Sequence, residues 1–232
     1  MFMNHQDGYR ELEKKIGYVF HDQSLLILAL THSSFSNEVK DHKAENYERL
    51  EFLGDAVLEL SVSEYLYENN PTMQEGDMTK LRASLVCEPT LAFCAREAFS
   101  LGEYLLLGKG EEMTGGRMRD SIVSDVFEAI IGAIYLDGGF ANAKRFVERY
   151  VLTDMKRKIG FTDSKTILQE YVQERGDELR YELIEEIGPA HDREYVMRAL
   201  INGQERAIGR GRTKKGAEQM AAFEILKEAG RI

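Results

Sequence analysis

Three carboxylates, Glu48, Glu51 and Asp55, fall in the stretch from Asn46 to Leu60 at spacings i, i+3 and i+7. In a helix, that spacing stacks them on one face, one turn after another. Leu50, Phe52, Leu53, Val57 and Leu58 cover much of the remaining circumference, so the stripe is not the wet side of a polar helix. Like charges placed this way repel, and a purely structural helix gains nothing from them. A hard cation held by oxygen ligands, such as Mg²⁺, would remove the repulsion. A second pair, Asp125 and Glu128, lies one turn apart in another apolar stretch, Ser121 to Ala133. Either pair alone reads as ordinary surface-helix acidity. Two apolar helices that each carry an inward acidic patch could converge four oxygens on one metal cluster.

The elements that must hold these groups are helices. From about residue 8 to 153 apolar positions recur at three and four, as in Leu25, Leu26, Leu28 and Leu30, or Val57, Leu58, Leu60, Val62 and Tyr65. Asn69-Asn70-Pro71 should end one helix and Asp137-Gly138-Gly139 another, with a mobile loop punctuated by Gly108, Gly110, Gly115 and Gly116 between them. Lys156 to Thr162 is polar and suits a short linker. Ser164 is a reasonable N-cap for a helix to about Gln173. The period then changes to two. Leu179, Tyr181, Leu183 and Ile184 open one strand and Tyr195, Met197, Ala199 and Ile201 alternate in the next. Asn202-Gly203 is a strong hairpin turn. A third strand over Glu205 to Gly209 and a final helix over Thr213 to Ala229 complete an α-β-β-β-α order.

Composition sharpens the division. The 232-residue chain has a net charge of −10, which taken alone argues against a nucleic-acid partner. Its distribution matters more. The first 160 residues hold 18 Lys and Arg against 26 Asp and Glu, a balance of −8; the remainder holds 12 against 14, a balance of −2. The acidity therefore concentrates where the metal ligands are proposed. In the second part, Gly209-Arg210-Gly211-Arg212-Thr213-Lys214-Lys215 sets four basic residues at the start of a helix. Backbone N–H groups and the positive dipole end already favour a phosphate there. Two lysines on a first turn are otherwise badly placed, and an anionic backbone would compensate. No stretch is long and apolar enough for a transmembrane helix, and the N-terminus has no apolar run suited to a secretory signal. Cys87 and Cys94 read as reduced core cysteines of a cytoplasmic protein.

At this point a family resemblance is visible. Glu48-Arg49-Leu50-Glu51-Phe52-Leu53-Gly54-Asp55-Ala56-Val57-Leu58 closely resembles the signature of bacterial ribonuclease III, the endonuclease of double-stranded RNA. Leu30-Thr31-His32-Ser33-Ser34 precedes it as in that family. Glu75 to Ala83 and Asp125-Val126-Phe127-Glu128-Ala129 follow in order, and the end of the chain resembles the family's RNA-binding domain. The resemblance implies an all-α endonuclease domain (1–155), a linker (156–162) and a small α+β double-stranded-RNA-binding domain (163–232).

It also implies roles. Glu51, Asp55, Asp125 and Glu128 match the family's metal ligands, with Asp55 and Glu128 as catalytic residues; Glu48 and Glu75 match its supporting acidic positions. The cofactor would be Mg²⁺, with Mn²⁺ as a possible substitute. Two divalent ions could activate a water and stabilise the leaving oxygen with no histidine or serine nucleophile. Gln169, Gln173 and His191 would take minor-groove roles, while Lys214 and Lys215 span major-groove phosphates. The family works as a homodimer in which each site cuts one strand, leaving a 5′-phosphate and a short 3′ overhang. Its members process ribosomal and other structured RNA precursors. The Phe52 position inserts into the partner subunit there; as plain sequence, core burial would explain Phe52 equally well. Gly54 would permit close helix packing beside the site. The rival readings are a binding protein of this fold that has lost cleavage, and a phosphohydrolase of small molecules.

Overall fold

The computed structural model describes residues 5–38, 45–188, 193–211 and 213–231. The chain divides into two compact units, Met1–Thr153 and Asp154–Ile232. The first is built of helices α1 (His5–Ile16), α2 (Gln23–Ala29), α3 (Ser33–Glu38), α4 (Glu48–Asn69), α5 (Glu75–Val86), α6 (Glu88–Phe99), α7 (Lys109–Met113), α8 (Asp120–Gly138) and α9 (Phe140–Val147). The second follows as α10 (Met155–Thr162), α11 (Ser164–Gln173), strands β1 (Leu179–Ile187), β2 (Glu194–Ile201) and β3 (Gln204–Gly211), and α12 (Lys214–Glu228).

In the first unit α8 is the central element. Ile122, Val123, Val126, Phe127, Ile130, Ile131 and Ile134 are all buried, which is the signature of a helix enclosed on nearly every side. Phe127 joins Phe99, Phe146 and Tyr150 in an aromatic cluster with centroid separations of 4.7–6.2 Å. Gly139, with φ at +78°, ends α8. Helix α4 stops where Asn70 donates to the Leu66 carbonyl at 3.1 Å and Pro71 follows.

Helices α4 and α8 cross at backbone distance. A Cβ placed on Gly54 would lie 1.8 Å from the Glu128 carbonyl oxygen, and one on Gly132 would lie 2.2 Å from the Leu50 carbonyl oxygen. Each helix thus contributes a glycine that faces the other's main chain. Only residues without a side chain allow this approach.

The glycine-rich stretch expected as a mobile loop is more structured than its composition suggests. It holds α7 and a 3₁₀ turn over Gly116–Met118. Arg117 donates to the carbonyls of Gly102 (2.9 Å) and Leu105 (2.8 Å) and pairs with Glu112. Such side chain-to-carbonyl bonds are not visible as a pattern in sequence.

In the second unit the sheet order is β1-β2-β3, antiparallel throughout. Asn202 (φ +54°) and Gly203 (φ +75°) make the hairpin between β2 and β3, the pair of positive φ values that a two-residue turn requires. The register shifts between Leu183 and Glu185, and Leu183 and Ile184 are both exposed, as is the rest of the strand to Ile187. Leu168, Val172, Ala199, Ala221, Ala222, Ile225 and Leu226 form the core. A Cβ on Gly209 would lie 2.0 Å from the Ala217 carbonyl oxygen, so small residues on α12 meet a bare strand position. Helix α11 begins at Ser164 itself. Its orphan N–H at Lys165 donates to the Gln219 side chain at 2.8 Å, a cap supplied from α12 in place of the expected Ser164. The polar segment read as a linker, 156–162, lies within α10.

Candidate functional site

Helix α4 opens with Glu48 and Glu51 in its first turn, where carboxylates are favoured by the helix dipole. The Asn46 side chain accepts from the Glu48 N–H at 3.0 Å and fixes the entry of the chain. Because Gly54 and Gly132 let α4 and α8 touch, the carboxylate of Glu51 faces those of Asp125 and Glu128. Ligand oxygens of these three residues lie within 4.8 Å of one another, and all three side chains are half-buried. Asp55 is exposed and outside that group, one turn beyond Glu51 on the same helix.

The electrostatics follow from that placement. Burial, then the charges of Asp125, Glu48 and Asp55, push Glu51 up to about 7. Burial again, followed by Asp55, Glu51 and Asp125, pushes Glu128 up to about 8. Asp125 is raised by burial, against opposing hydrogen bonds from Tyr47 and Ser124 and the nearby His32. Asp55 therefore acts on both Glu51 and Glu128 even from outside the group. Half-buried carboxylates that resist ionisation together are costly to the fold and mark this cluster as a candidate site. An all-oxygen donor set of this charge fits a hard divalent cation, whose positive charge would return all three groups to their ionised form.

Tyr47 is the residue that sequence reasoning misses here. It is buried, and its hydroxyl donates to Asp125 at 3.3 Å; its N–H donates to the Thr31 carbonyl at 3.0 Å. His32 lies beside it, with ring centroids 5.7 Å apart. The His32 imidazole is in turn held by Ser34 through Nδ1 at 2.7 Å. An aromatic residue preceding an acidic string carries no signal of this contact. Gly132 is also missed, although a glycine four residues after Glu128 in an apolar helix is a legible hint of close packing.

Other candidates are less central. Glu48 is exposed, near enough to raise Glu51. Glu75 is exposed at the start of α5 and accepts from Thr79 at 3.0 Å. Glu59 pairs with Arg82 at 2.8 Å. Phe52 is 81% exposed on α4, so it is no part of its own domain's core. In the second unit Gln169 and Gln173 are exposed one turn apart on α11, and Lys214 and Lys215 are exposed on the first turn of α12. Thr213 caps that turn by accepting from the Gly216 N–H at 2.9 Å. His191 lies outside the described residues.

Comparison with known proteins identifies the family of both units. The family described as Ribonuclease-III-like matches residues 22–155, and the double-stranded RNA binding motif matches residues 164–228. The chain is 52% identical over 222 residues to Ribonuclease 3 of Geobacillus kaustophilus, covering 94% of this chain and 90% of that protein. It is 48% identical over 227 residues to Ribonuclease 3 of Bacillus cereus, covering 97% and 92%. Among solved structures it is similar to the nuclease domain of ribonuclease III from Campylobacter jejuni, described as flexible in a region involved in dimer formation. The TM-score there is 0.57 at 48% identity, over 61% of this chain and 94% of that one.

Proposed function

The chain belongs to the ribonuclease III family, and from that premise we propose how it acts as an endonuclease of double-stranded RNA. The observation that carries the reading is the convergence of Glu51, Asp125 and Glu128 from two helices locked at Gly54 and Gly132. These three residues, joined by Asp55, would hold Mg²⁺, with Mn²⁺ as a substitute. Asp55 is exposed, so its side chain has the rotamer freedom to turn toward the cluster. Bound divalent cations supply an activated water and charge stabilisation on the phosphoryl and leaving oxygens. Asp55 and Glu128 are the catalytic residues in this reading. Glu51 and Asp125 complete the ligand set, Tyr47 orients Asp125, and Glu48 and Glu75 support the site from its exposed rim.

The second unit delivers the substrate. Gln169, Gln173 and His191 reach minor grooves, while Lys214 and Lys215 contact the phosphates between them. No helix of the described residues is long and apolar enough to cross a membrane. A large ring left 81% exposed beside the acidic cluster favours a second copy of the chain as its cover. Two subunits would then place two sites on one duplex, each cutting one strand to leave a 5′-phosphate and a short 3′ overhang. Ribosomal and other structured precursors are the expected substrates. A descendant that only binds RNA would have no use for carboxylates that repel one another and are costly to ionise.

The test is cleavage of a long RNA duplex with Mg²⁺, then with EDTA, by wild type and Glu128→Gln. Cleavage should need the cation and vanish in the variant, with duplex binding largely kept. Near-normal turnover by Glu128→Gln would sink the assignment.

A further inference from the structure

The first turn of α12 carries two lysines in different situations. Lys215 has no ion-pair or hydrogen-bond partner among the described residues, whereas Lys214 does. Its Nζ lies 3.5 Å from Oε1 of Glu186, near the end of β1, and 5.6 Å from the centroid of the Tyr195 ring. Tyr195 is the cross-strand partner of Glu186, so carboxylate and ring hold the ammonium from the same side. The other oxygen of Glu186 accepts from Arg193 Nη1 at 2.9 Å. One carboxylate therefore bridges a cation on the helix start and a cation at the mouth of the β1–β2 connection.

We propose that Glu186 is an internal stand-in for a phosphate group, which duplex RNA must displace to reach Lys214. The inference rests on the reading of Lys214 as a phosphate contact, and it adds a residue that tunes that contact. The chemistry is matched. Two oxygens of one anion satisfying a lysine and an arginine is what a backbone phosphate would offer the same pair. A lysine near a helix N-terminus is opposed by the dipole, and Glu186 offsets that conflict while no RNA is bound. The arrangement is also exchangeable. Lys214, Arg193 and Glu186 have side chains 55%, 38% and 33% exposed, and ion pairs this wet are individually weak. A lone phosphate would replace one anion with another for little gain. A duplex gains more, because it engages Lys215 and the glutamines of α11 at the same time.

The prediction is an unusual sign: neutralising an acid in the RNA-binding unit through its effect on one lysine. Full-length protein is titrated onto a short labelled RNA duplex in EDTA at about 0.15 M salt, and binding is followed by fluorescence anisotropy. Glu186→Gln, which keeps the shape of the side chain, should bind about two- to fivefold more tightly, the value of an exposed ion pair that no longer has to be broken. Lys214→Ala alone should bind more weakly than wild type, and adding Glu186→Gln to it should lose most of that gain. Unchanged or weaker binding by Glu186→Gln overturns the proposal, since Glu186 would then position Lys214 rather than compete for it. An equal gain in both backgrounds also overturns it, leaving only long-range charge. Wild-type affinity in Lys214→Ala strikes the underlying assignment of Lys214, and the proposal with it.

Discussion

One added methyl group at Gly54 should cost both stability and catalysis, and the structure sets the size of the effect. The alanine Cβ would lie 1.8 Å from the Glu128 carbonyl oxygen, 2.6 Å from its carbon and 3.0 Å from the Gly132 nitrogen, where real Cβ contacts essentially never fall below 3.0 Å. Helices α4 and α8 must therefore part by more than about 1 Å at their crossing. Every obstructing atom is backbone, so no side chain can rotate away, and the upper part of the usual 1–3 kcal/mol for overpacking applies. Alanine regains about 1 kcal/mol of helix propensity, leaving a net loss of about 2 kcal/mol. In a domain of this size that lowers Tm by about 4–8 °C. Catalysis should suffer more, because the clashing carbonyl belongs to Glu128 and the facing carboxylate of Glu51 lies one turn away. A misplacement near 1 Å can cost about a hundredfold in rate. Calorimetry and cleavage at saturating Mg²⁺ measure the two effects. Gly110→Ala, whose Cβ meets nothing within 4 Å, serves as the control. A Gly54→Ala protein that melts within about 1 °C of wild type and cleaves within about twofold would refute the reasoning.

Three further outcomes follow from the same geometry. Glu51 and Glu128, raised to about 7 and about 8, bind protons in the folded state that the unfolded chain has released above about pH 4.3. Metal-free stability should therefore fall as pH rises from about 5 to about 8, and Mg²⁺ should flatten or reverse the trend by drawing on the ionised form; melting curves in EDTA that do not depend on pH would count against the cluster as described. Lys214→Ala plus Lys215→Ala should weaken binding alike for unrelated duplexes, with a salt slope shallower by about 1–2; an unchanged slope would mean a merely solvated pair. Phe52→Ala should weaken self-association, seen by sedimentation at matched concentrations. It should spare the fold of the subunit, because the ring is already 81% exposed; a core role would instead cost roughly 3–5 kcal/mol.

Much of the fold is legible in the sequence because period and punctuation coincide. The three-and-four spacing runs to the end of the first unit, Asn202-Gly203 has the φ values its type demands, and Asn70-Pro71 and Gly139 stop helices where they stand. Legibility fails where a distant group decides a local outcome. The Lys165 N–H is met by Gln219, 54 residues away, so no local reading of Ser164 could find the cap. Arg117 orders the glycine-rich stretch through the carbonyls of Gly102 and Leu105, and a carbonyl has no letter in a sequence. The bulge at Leu183–Glu185 likewise depends on strand pairing rather than on composition.

The site shows the same division between type and distance. Spacing marks Glu51, Asp125 and Glu128 as chemically able, yet only the approach of α4 to α8 makes them neighbours, and that approach depends on the absence of side chains at Gly54 and Gly132. A glycine in a helix interior is a local defect worth about 1 kcal/mol. Here two of them occur in the helices that carry the acids, each directed at the other's backbone. The acids are unfavourable for the fold without a cation, and the glycines are unfavourable for the helices without the crossing. Two local costs that become intelligible at the same contact point to that contact as what the fold is built to hold. Asp55 extends the argument outward. It stays exposed outside the 4.8 Å group, but its charge already raises both Glu51 and Glu128. A cation drawn by the half-buried three would therefore find a fourth carboxylate on the exposed side of the group.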